Sequence, residues 1–261
     1  MTLDALARDK GTFLMVAMDQ RESLRTMFRD HGHDDSDERY RRFKVAVARE
    51  LAPHASGFLI EPDLVADVRP FVPRGLILAV DLLEQERGGI VEDTRLDEID
   101  EVPEGVVALK LLVIWRDDDR RRERIEMCER FVALAQRHGV LSVLEPVVRE
   151  DAQIVEAARE LGATRPSLYK CQAPREGDIV TICHKVTEVL PVPWVVLSQG
   201  VPRDEFPLAV ENACKGGARG FLAGRALWTN TLDADDPTEL LRTESVRRLE
   251  QLIEIVDRYA E

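Results

Sequence analysis

Two lysines and two carboxylates stand out because apolar segments carry them. Asp19 closes Phe13–Asp19, Lys110 interrupts Ala108–Leu112, Glu145 ends a run that begins at Val140, and Lys170 ends Leu168–Lys170. An ammonium inside an apolar segment is costly unless it is paired or discharged. A second ammonium nearby, with partial desolvation, lowers a lysine's pKa and makes the amine a nucleophile. Amines beside carboxylates suit carbonyl chemistry, in which the amine attacks a ketone and a carboxylate moves the protons. The alternative is that each lysine reaches solvent at the edge of its segment and pairs with a carboxylate there. A second group lies nearer the C-terminus, in Ser198-Gln199-Gly200 and in Gly220–Arg225. Gly200 and Gly224 let backbone N–H groups approach an anion, and Arg225 can bond two of its oxygens at once. The alternative is a pair of tight turns, with Arg225 in a surface salt bridge.

These residues need strands to position them. Eight short apolar runs have strand character: Phe13–Asp19, Ser56–Ile60, Leu76–Asp81, Val106–Trp115, Val140–Pro146, Leu168–Lys170, Trp194–Ser198 and Gly220–Ala223. Helix-like stretches 37–52, 119–138, 150–162, 176–189 and 203–215 lie between most of them, and 243–260 closes the chain. Such alternation predicts a parallel sheet buried on both faces. Eight units in 261 residues predict the α/β class and a single (β/α)8 TIM barrel, residues 1–261 forming one domain. No Gly-x-Gly-x-x-Gly follows the first run, which counts against a dinucleotide-binding fold. Residues 84–105 show no clear helix. In a TIM barrel the chemistry sits where strands end, and phosphate is often held after strands seven and eight. Alternation along each run puts Asp19 with Ala17 and Met15, Glu145 with Val143 and Leu141, Lys170 with Leu168, and Lys110 with Ala108 and Leu112. Lys110 and Lys170 fall on even-numbered runs, so similar heights inside the barrel are expected.

Composition narrows the partners. With 36 basic and 49 acidic residues the net charge is −13, a surface that repels nucleic acid and anionic lipid. A small anionic substrate then requires a locally basic pocket. Cys128, Cys171, Cys183 and Cys214 form no CxxC pair and read as reduced thiols. Met1–Asp4 has neither a basic nor an apolar leader pattern, and no apolar run approaches the roughly 20 residues of a membrane span. A soluble, cytoplasmic protein is expected. His31, His33, His54, His138 and His184 lack metal-ligand spacing, so neither a metal nor another cofactor is expected. Cys171 should point away from the barrel interior as an inert thiol, and Arg120–Arg122 reads as a solvated helix face.

Taken as a set, the strand ends resemble the class I aldolases that include tagatose 1,6-bisphosphate aldolase and sulfofructosephosphate aldolase. The pieces that carry the resemblance are Ala17–Glu22, Ala108–Arg116, Leu144–Arg149, Leu168–Lys170, Pro193–Ser198 and Gly217–Trp228, and it runs from about residue 10 to residue 258. Each piece is weak alone; six in order on the expected strands are specific. The resemblance implies that Lys170 is the Schiff-base lysine, Glu145 the acid/base carboxylate, and Lys110 and Asp19 their support. It implies Ser198 and Arg225 at a C1 phosphate, and Gln20 and Arg21 at the far end of a ketose. The runs Leu109–Arg116 and Asp19–Glu22 look closer to the sulfofructosephosphate branch. The implied reaction cleaves 6-deoxy-6-sulfofructose 1-phosphate to dihydroxyacetone phosphate and sulfolactaldehyde, with tagatose 1,6-bisphosphate as the alternative substrate. A homo-oligomer is expected, as is common for such barrels. Two positions depart from the family pattern: Gln172 stands where an acidic residue is expected, and Gln199 where a small one is. Both fall at the mouth of the expected pocket, where they bear on the sugar accepted. A sugar-phosphate epimerase or isomerase, and a phosphosugar-binding sensor without turnover, remain alternatives on the same residues.

Overall fold

A strand covered on both faces needs an unbroken apolar run, and the eight runs are used in that way. The computed structural model of the protein describes residues 1–199 and 201–260. Its strands are β1 (Phe13–Ala17), β2 (Gly57–Ile60), β3 (Leu76–Ala79), β4 (Asp81–Gln85), β5 (Val91–Leu96), β6 (Val106–Ile114), β7 (Leu141–Val147), β8 (Leu168–Gln172), β9 (Trp194–Leu197) and β10 (Gly220–Ala223). All but β4 and β5 close into a parallel barrel in the order β1-β10-β9-β8-β7-β6-β3-β2. This is the (β/α)8 TIM barrel expected from the sequence. Met15, Ala17, Ile77, Ala108, Val143 and Leu168 belong to the apolar cluster that fills it. The alternate residues, among them Leu14, Val16, Leu109 and Leu144, pack outward against Phe43, Val47, Phe131 and their neighbours. At the closing seam Gly220 has φ +131°, and a Cβ there would lie 2.0 Å from the Phe13 carbonyl oxygen. A side chain would therefore force β1 and β10 apart.

The outer helices include Asp37–Leu51, Arg121–Arg137, Ile154–Gly162, Ile179–Val189, Phe206–Lys215 and Val246–Tyr259, each within a few residues of the expected stretches. Ser36 caps the first by accepting from the Arg39 N–H, and Asp178 caps the fourth at Thr181. Two features go beyond the sequence reading, although residues 84–105 hold no helix, as expected. Glu22–Asp30 is a helix that was not expected; it is short and buries just Leu24 and Phe28. Within residues 84–105 the chain forms the second half of an antiparallel hairpin, β4 against β5, which stands outside the barrel ring. Among the described residues no helix is long and apolar enough to cross a membrane.

Register sets the heights of the inward side chains. Lys110 is matched with Ala79 on one side and Val143 on the other, and Val143 with Leu168. A shear of about eight over eight strands advances each level by one residue per strand. Two strands on from Lys110, the same level is reached two residues beyond Leu168, at Lys170. The expected similar height of the two lysines follows from this stagger.

Candidate active site

The carboxyl ends of the barrel strands surround a cavity of about 630 Å³. Alternation turns Lys110 on β6, Glu145 on β7 and Lys170 on β8 into it, and Asp19, just past β1, reaches in from the other side. The Glu145 carboxylate lies between the amines, with Oε1 2.8 Å from Lys170 Nζ and Oε2 3.1 Å from Lys110 Nζ. Glu145 Oε2 is buried and receives no hydrogen bond among the described residues. Lys110 Nζ also donates to Asp19 Oδ2 at 2.7 Å and to Asp81 Oδ1 at 2.9 Å. The sequence alternative of lysines reaching solvent at the strand edge does not hold, since Lys110 is 1% exposed and Lys170 3%.

The two lysines are not equivalent. Burial alone would lower the Lys110 pKa, but Asp19, Asp81 and Glu145 outweigh it and hold the group well above the ordinary lysine range. Lys110 is therefore a fixed cation and cannot serve as the neutral amine. Burial would likewise raise Asp19, but Lys110, Lys170 and Arg21 outweigh it and hold the carboxyl well below the ordinary carboxylate range. Asp19 is thus favoured in its ionised form, where it accepts from Lys110. Glu145 bridges the two amines, one carboxylate oxygen toward each, an arrangement that can move a proton to or from Lys170.

Asp81 completes this constellation. It opens β4, one residue beyond the Val80 that follows β3, is 3% exposed, and accepts from Lys110, from the Leu112 N–H at 3.1 Å and from Arg21. It closes the third apolar run of the sequence, so a polar residue at a strand end was visible there. Arg21 donates to the Asp81 carbonyl oxygen at 2.6 Å and faces Asp81 Oδ2 at 3.4 Å. Gln20 lines the cavity with a buried Oε1 that has no partner among the described residues. The Gln20 carbonyl oxygen accepts from Tyr40 Oη at 3.3 Å.

Across the cavity, Ser198 follows β9 and Gly224-Arg225 follow β10. Gly200 lies outside the described residues. A Cβ on Gly224 would stand 2.8 Å from both the Ala17 carbonyl oxygen and Gln20 Nε2, so only glycine allows this loop to lie against the end of β1. The Arg225 guanidinium has no ion pair or hydrogen bond among the described residues, so the surface salt bridge open from the sequence is not formed. Burial lowers its pKa, with Glu145 and Asp19 opposing. Gln172, where an acidic residue was expected, uses Oε1 to accept the Val148 N–H at 3.0 Å and so ties the loop after β7 to β8. Gln199 also lines the cavity.

Six cations, Arg21, Lys110, Arg149, Lys170, Arg175 and Arg225, face three carboxylates, Asp19, Asp81 and Glu145, across this lining. The cavity is thus locally basic in a chain of net charge −13. Arg149 and Arg175 were not singled out from the sequence, because each lies in a loop beyond its strand. The remaining sequence candidates lie away from the site. His31 faces Asp233 at 2.5 Å, and Arg121 bridges Asp117, Glu156 and Glu160 on the outer helices. Cys171 is buried outside the barrel interior, where burial pushes its thiol up.

The sequence model of the DeoC/LacD family of aldolases matches residues 13–230. The tagatose 1,6-diphosphate aldolase of Listeria monocytogenes is 24% identical, the match covering 98% of this chain and 90% of that protein. The tagatose 1,6-diphosphate aldolase 2 of Enterococcus faecalis is also 24% identical, over 97% of this chain and 92% of that protein. Among solved structures, a Schiff-base-forming fructose-1,6-bisphosphate aldolase superposes with a TM-score of 0.65 at 18% identity, covering 96% of each chain. The fructose-bisphosphate aldolase of Plasmodium falciparum gives a TM-score of 0.74 at 13% identity, covering 99% of this chain and 94% of the other. At these identities the superpositions speak for the shared barrel.

Proposed function

Because the chain belongs to the DeoC/LacD family of aldolases, we propose that it cleaves a ketohexose 1-phosphate bearing a second anionic group at C6, through a Schiff base on Lys170. The observation that carries this reading is the Lys170 amine 2.8 Å from the Glu145 carboxylate, buried at the base of a basic cavity. Glu145 takes a proton from Lys170, and the free amine attacks the C2 ketone. The same carboxyl returns the proton to the departing hydroxyl, so carbinolamine loses water and becomes an iminium. Glu145 then accepts the proton of the C4 hydroxyl while the C3–C4 electron pair moves into the iminium. The aldehyde leaves, C3 is protonated, and hydrolysis frees dihydroxyacetone phosphate and the lysine. The iminium supplies the polarisation, so the proposed reaction is metal-independent.

Lys110, fixed as a cation by three carboxylates, orients Glu145 and stabilises charge near C4. Arg225, Ser198 and Gly224 hold the C1 phosphate, and the sequence offers Gly200 as a further backbone donor. That binding energy orients the bond to be cut. Gln20 and Arg21 meet the far half of the ketose. The first substrate of this reading is 6-deoxy-6-sulfofructose 1-phosphate, giving sulfolactaldehyde. Tagatose 1,6-bisphosphate is the second, supported by the names of the relatives above. Dihydroxyacetone phosphate with borohydride should leave a covalent adduct on Lys170, and Lys170→Ala should remove both adduct and cleavage. Absence of an adduct in the unaltered protein rules the Schiff base out. Binding of all candidate ketoses without cleavage points to a sensor, and interconversion without a three-carbon product points to an epimerase.

A further inference from the structure

The inward positions at the carboxyl ends of β7 and β8 fall into two rows. Val143 is matched with Leu168 and Leu144 with Tyr169, so Glu145 lies level with Lys170, and Val147 with Gln172. Gln172 is the next inward residue beyond Lys170, about 6.6 Å along the strand for a rise of 3.3 Å per residue. It lines the cavity and is 5% exposed.

One bond fixes the orientation of its amide. The Val148 N–H donates to Gln172 Oε1 at 3.0 Å. A backbone N–H can only donate, so the amide oxygen must face β7 and the amide nitrogen must face away. Nε2 carries two N–H groups, and neither finds an acceptor among the described residues. For a side chain this buried, the space open to them is the cavity. Enclosed donors are nearly always paired, so an acceptor belongs there when the site is filled.

The cleavage step calls for a donor at this level. The C4 hydroxyl of the ketose gives its proton to Glu145, so that oxygen can only accept from a second partner. It gathers negative charge as the C3–C4 bond breaks and ends as the aldehyde carbonyl oxygen. Lys110 contributes its charge, but its hydrogen bonds go to Asp19 and Asp81. Arg225 follows β10, two strands from β8, where the C1 phosphate is held. An uncharged N–H donor one level above Glu145 and Lys170 fits the C4 oxygen.

We infer that Gln172 is a catalytic residue whose Nε2 donates to the C4 oxygen of the ketose while Glu145 removes the proton from it. The inference rests on the aldolase reading above. The proton passes from the C4 oxygen to Glu145, the C3–C4 electron pair moves into the iminium, and Gln172 keeps both of its protons. In the reverse direction the same N–H polarises the aldehyde carbonyl as C3 attacks it.

Dihydroxyacetone phosphate has no C4, which isolates the step. Exchange of its hydroxymethyl proton with solvent deuterium needs Lys170, a base and the phosphate site, but no C4 oxygen. The test divides kcat for cleavage by the rate of that exchange. The ketose is whichever of 6-deoxy-6-sulfofructose 1-phosphate and tagatose 1,6-bisphosphate the unaltered protein cleaves faster. At pH 8 Gln172→Glu, as a carboxylate, keeps an acceptor for the Val148 N–H and loses both donors, whereas Gln172→Met loses acceptor and donors together. The ratio should fall roughly ten- to hundredfold in both variants. A ratio that holds in either variant overturns the inference, and so do equal falls in cleavage and exchange, which mean general damage to the site. Exchange in the unaltered protein with an unchanged ratio in the variants sinks the role of Gln172 alone. Neither exchange nor borohydride trapping in the unaltered protein sinks the aldolase reading with it.

Discussion

Lys110→Met keeps the length of the side chain and removes the cation on which Asp19, Asp81 and Glu145 converge. The three carboxylates, 2.7, 2.9 and 3.1 Å from Lys110 Nζ, would be left with Lys170 and Arg21 as the cations that touch them. Removing one partner of a buried ion pair costs about 3–5 kcal/mol. In a chain of this size that lowers Tm by about 10 °C, taking roughly 2–4 °C per kcal/mol. The loss should depend on pH. In the unaltered protein Lys110 is held above its ordinary value, so its contribution is fully present below the unfolded lysine pKa of about 10.4. Asp19 is held below its ordinary value, so its contribution is present above about pH 3.9 and is lost only at still lower pH. Without Lys110, burial raises the clustered carboxyls instead. A carboxyl raised in the fold costs most when ionised, so the variant loses stability as pH rises through its new value. The difference in Tm between the two proteins should widen from about pH 4 to pH 8. Thermal unfolding followed by circular dichroism across that range reads it. A flat difference, or one largest in acid, would refute the picture of Lys110 as the counter-ion of three ionised carboxylates. Cleavage should fall about a hundredfold or more, since Glu145 loses its orientation, while some trapping on Lys170 persists.

Two further substitutions probe other parts of the arrangement. Arg225→Gln should raise KM and lower kcat/KM roughly ten- to hundredfold for every 1-phosphorylated ketose. Because its guanidinium holds no protein partner among the described residues, Tm should move by less than about 3 °C; a large stability loss with normal KM would contradict a phosphate role. Lys44, wholly buried and 2.6 and 2.7 Å from the two oxygens of Glu61, is pulled down to about 8 by burial, against the pull of Glu61. Between that value and the unfolded lysine pKa of about 10.4 the unfolded chain binds more protons, so this residue makes stability rise with pH. Urea unfolding at pH 7.5 and 9.5 should therefore show a gain in the unaltered protein that Lys44→Met lacks. Equal pH dependence in both would mean that Lys44 titrates normally.

The eight barrel strands were legible because their signal is local: an apolar run a few residues long is buried on both faces whatever its partners. The inward direction of Lys110, Glu145 and Lys170 was legible for the same reason, since side chains alternate along a strand. The hairpin at β4 and β5 was not, because its charged residues owe their pairing to each other. Glu22–Asp30 was missed because two buried side chains make a faint pattern. Asp81 was visible as a polar strand end, but its importance comes from Lys110, 29 positions away, and from Arg21, 60 positions away.

By itself the sequence determined the barrel, the face of each strand and the residue types at the strand ends. The tertiary structure alone decided that Lys110 is held as a cation, because that depends on Asp19, 91 residues from Lys110, and on two more carboxylates brought to the same point. It also decided which arginines keep charge to spare. Charge state and availability are properties of neighbours in space, and a linear pattern carries no record of them.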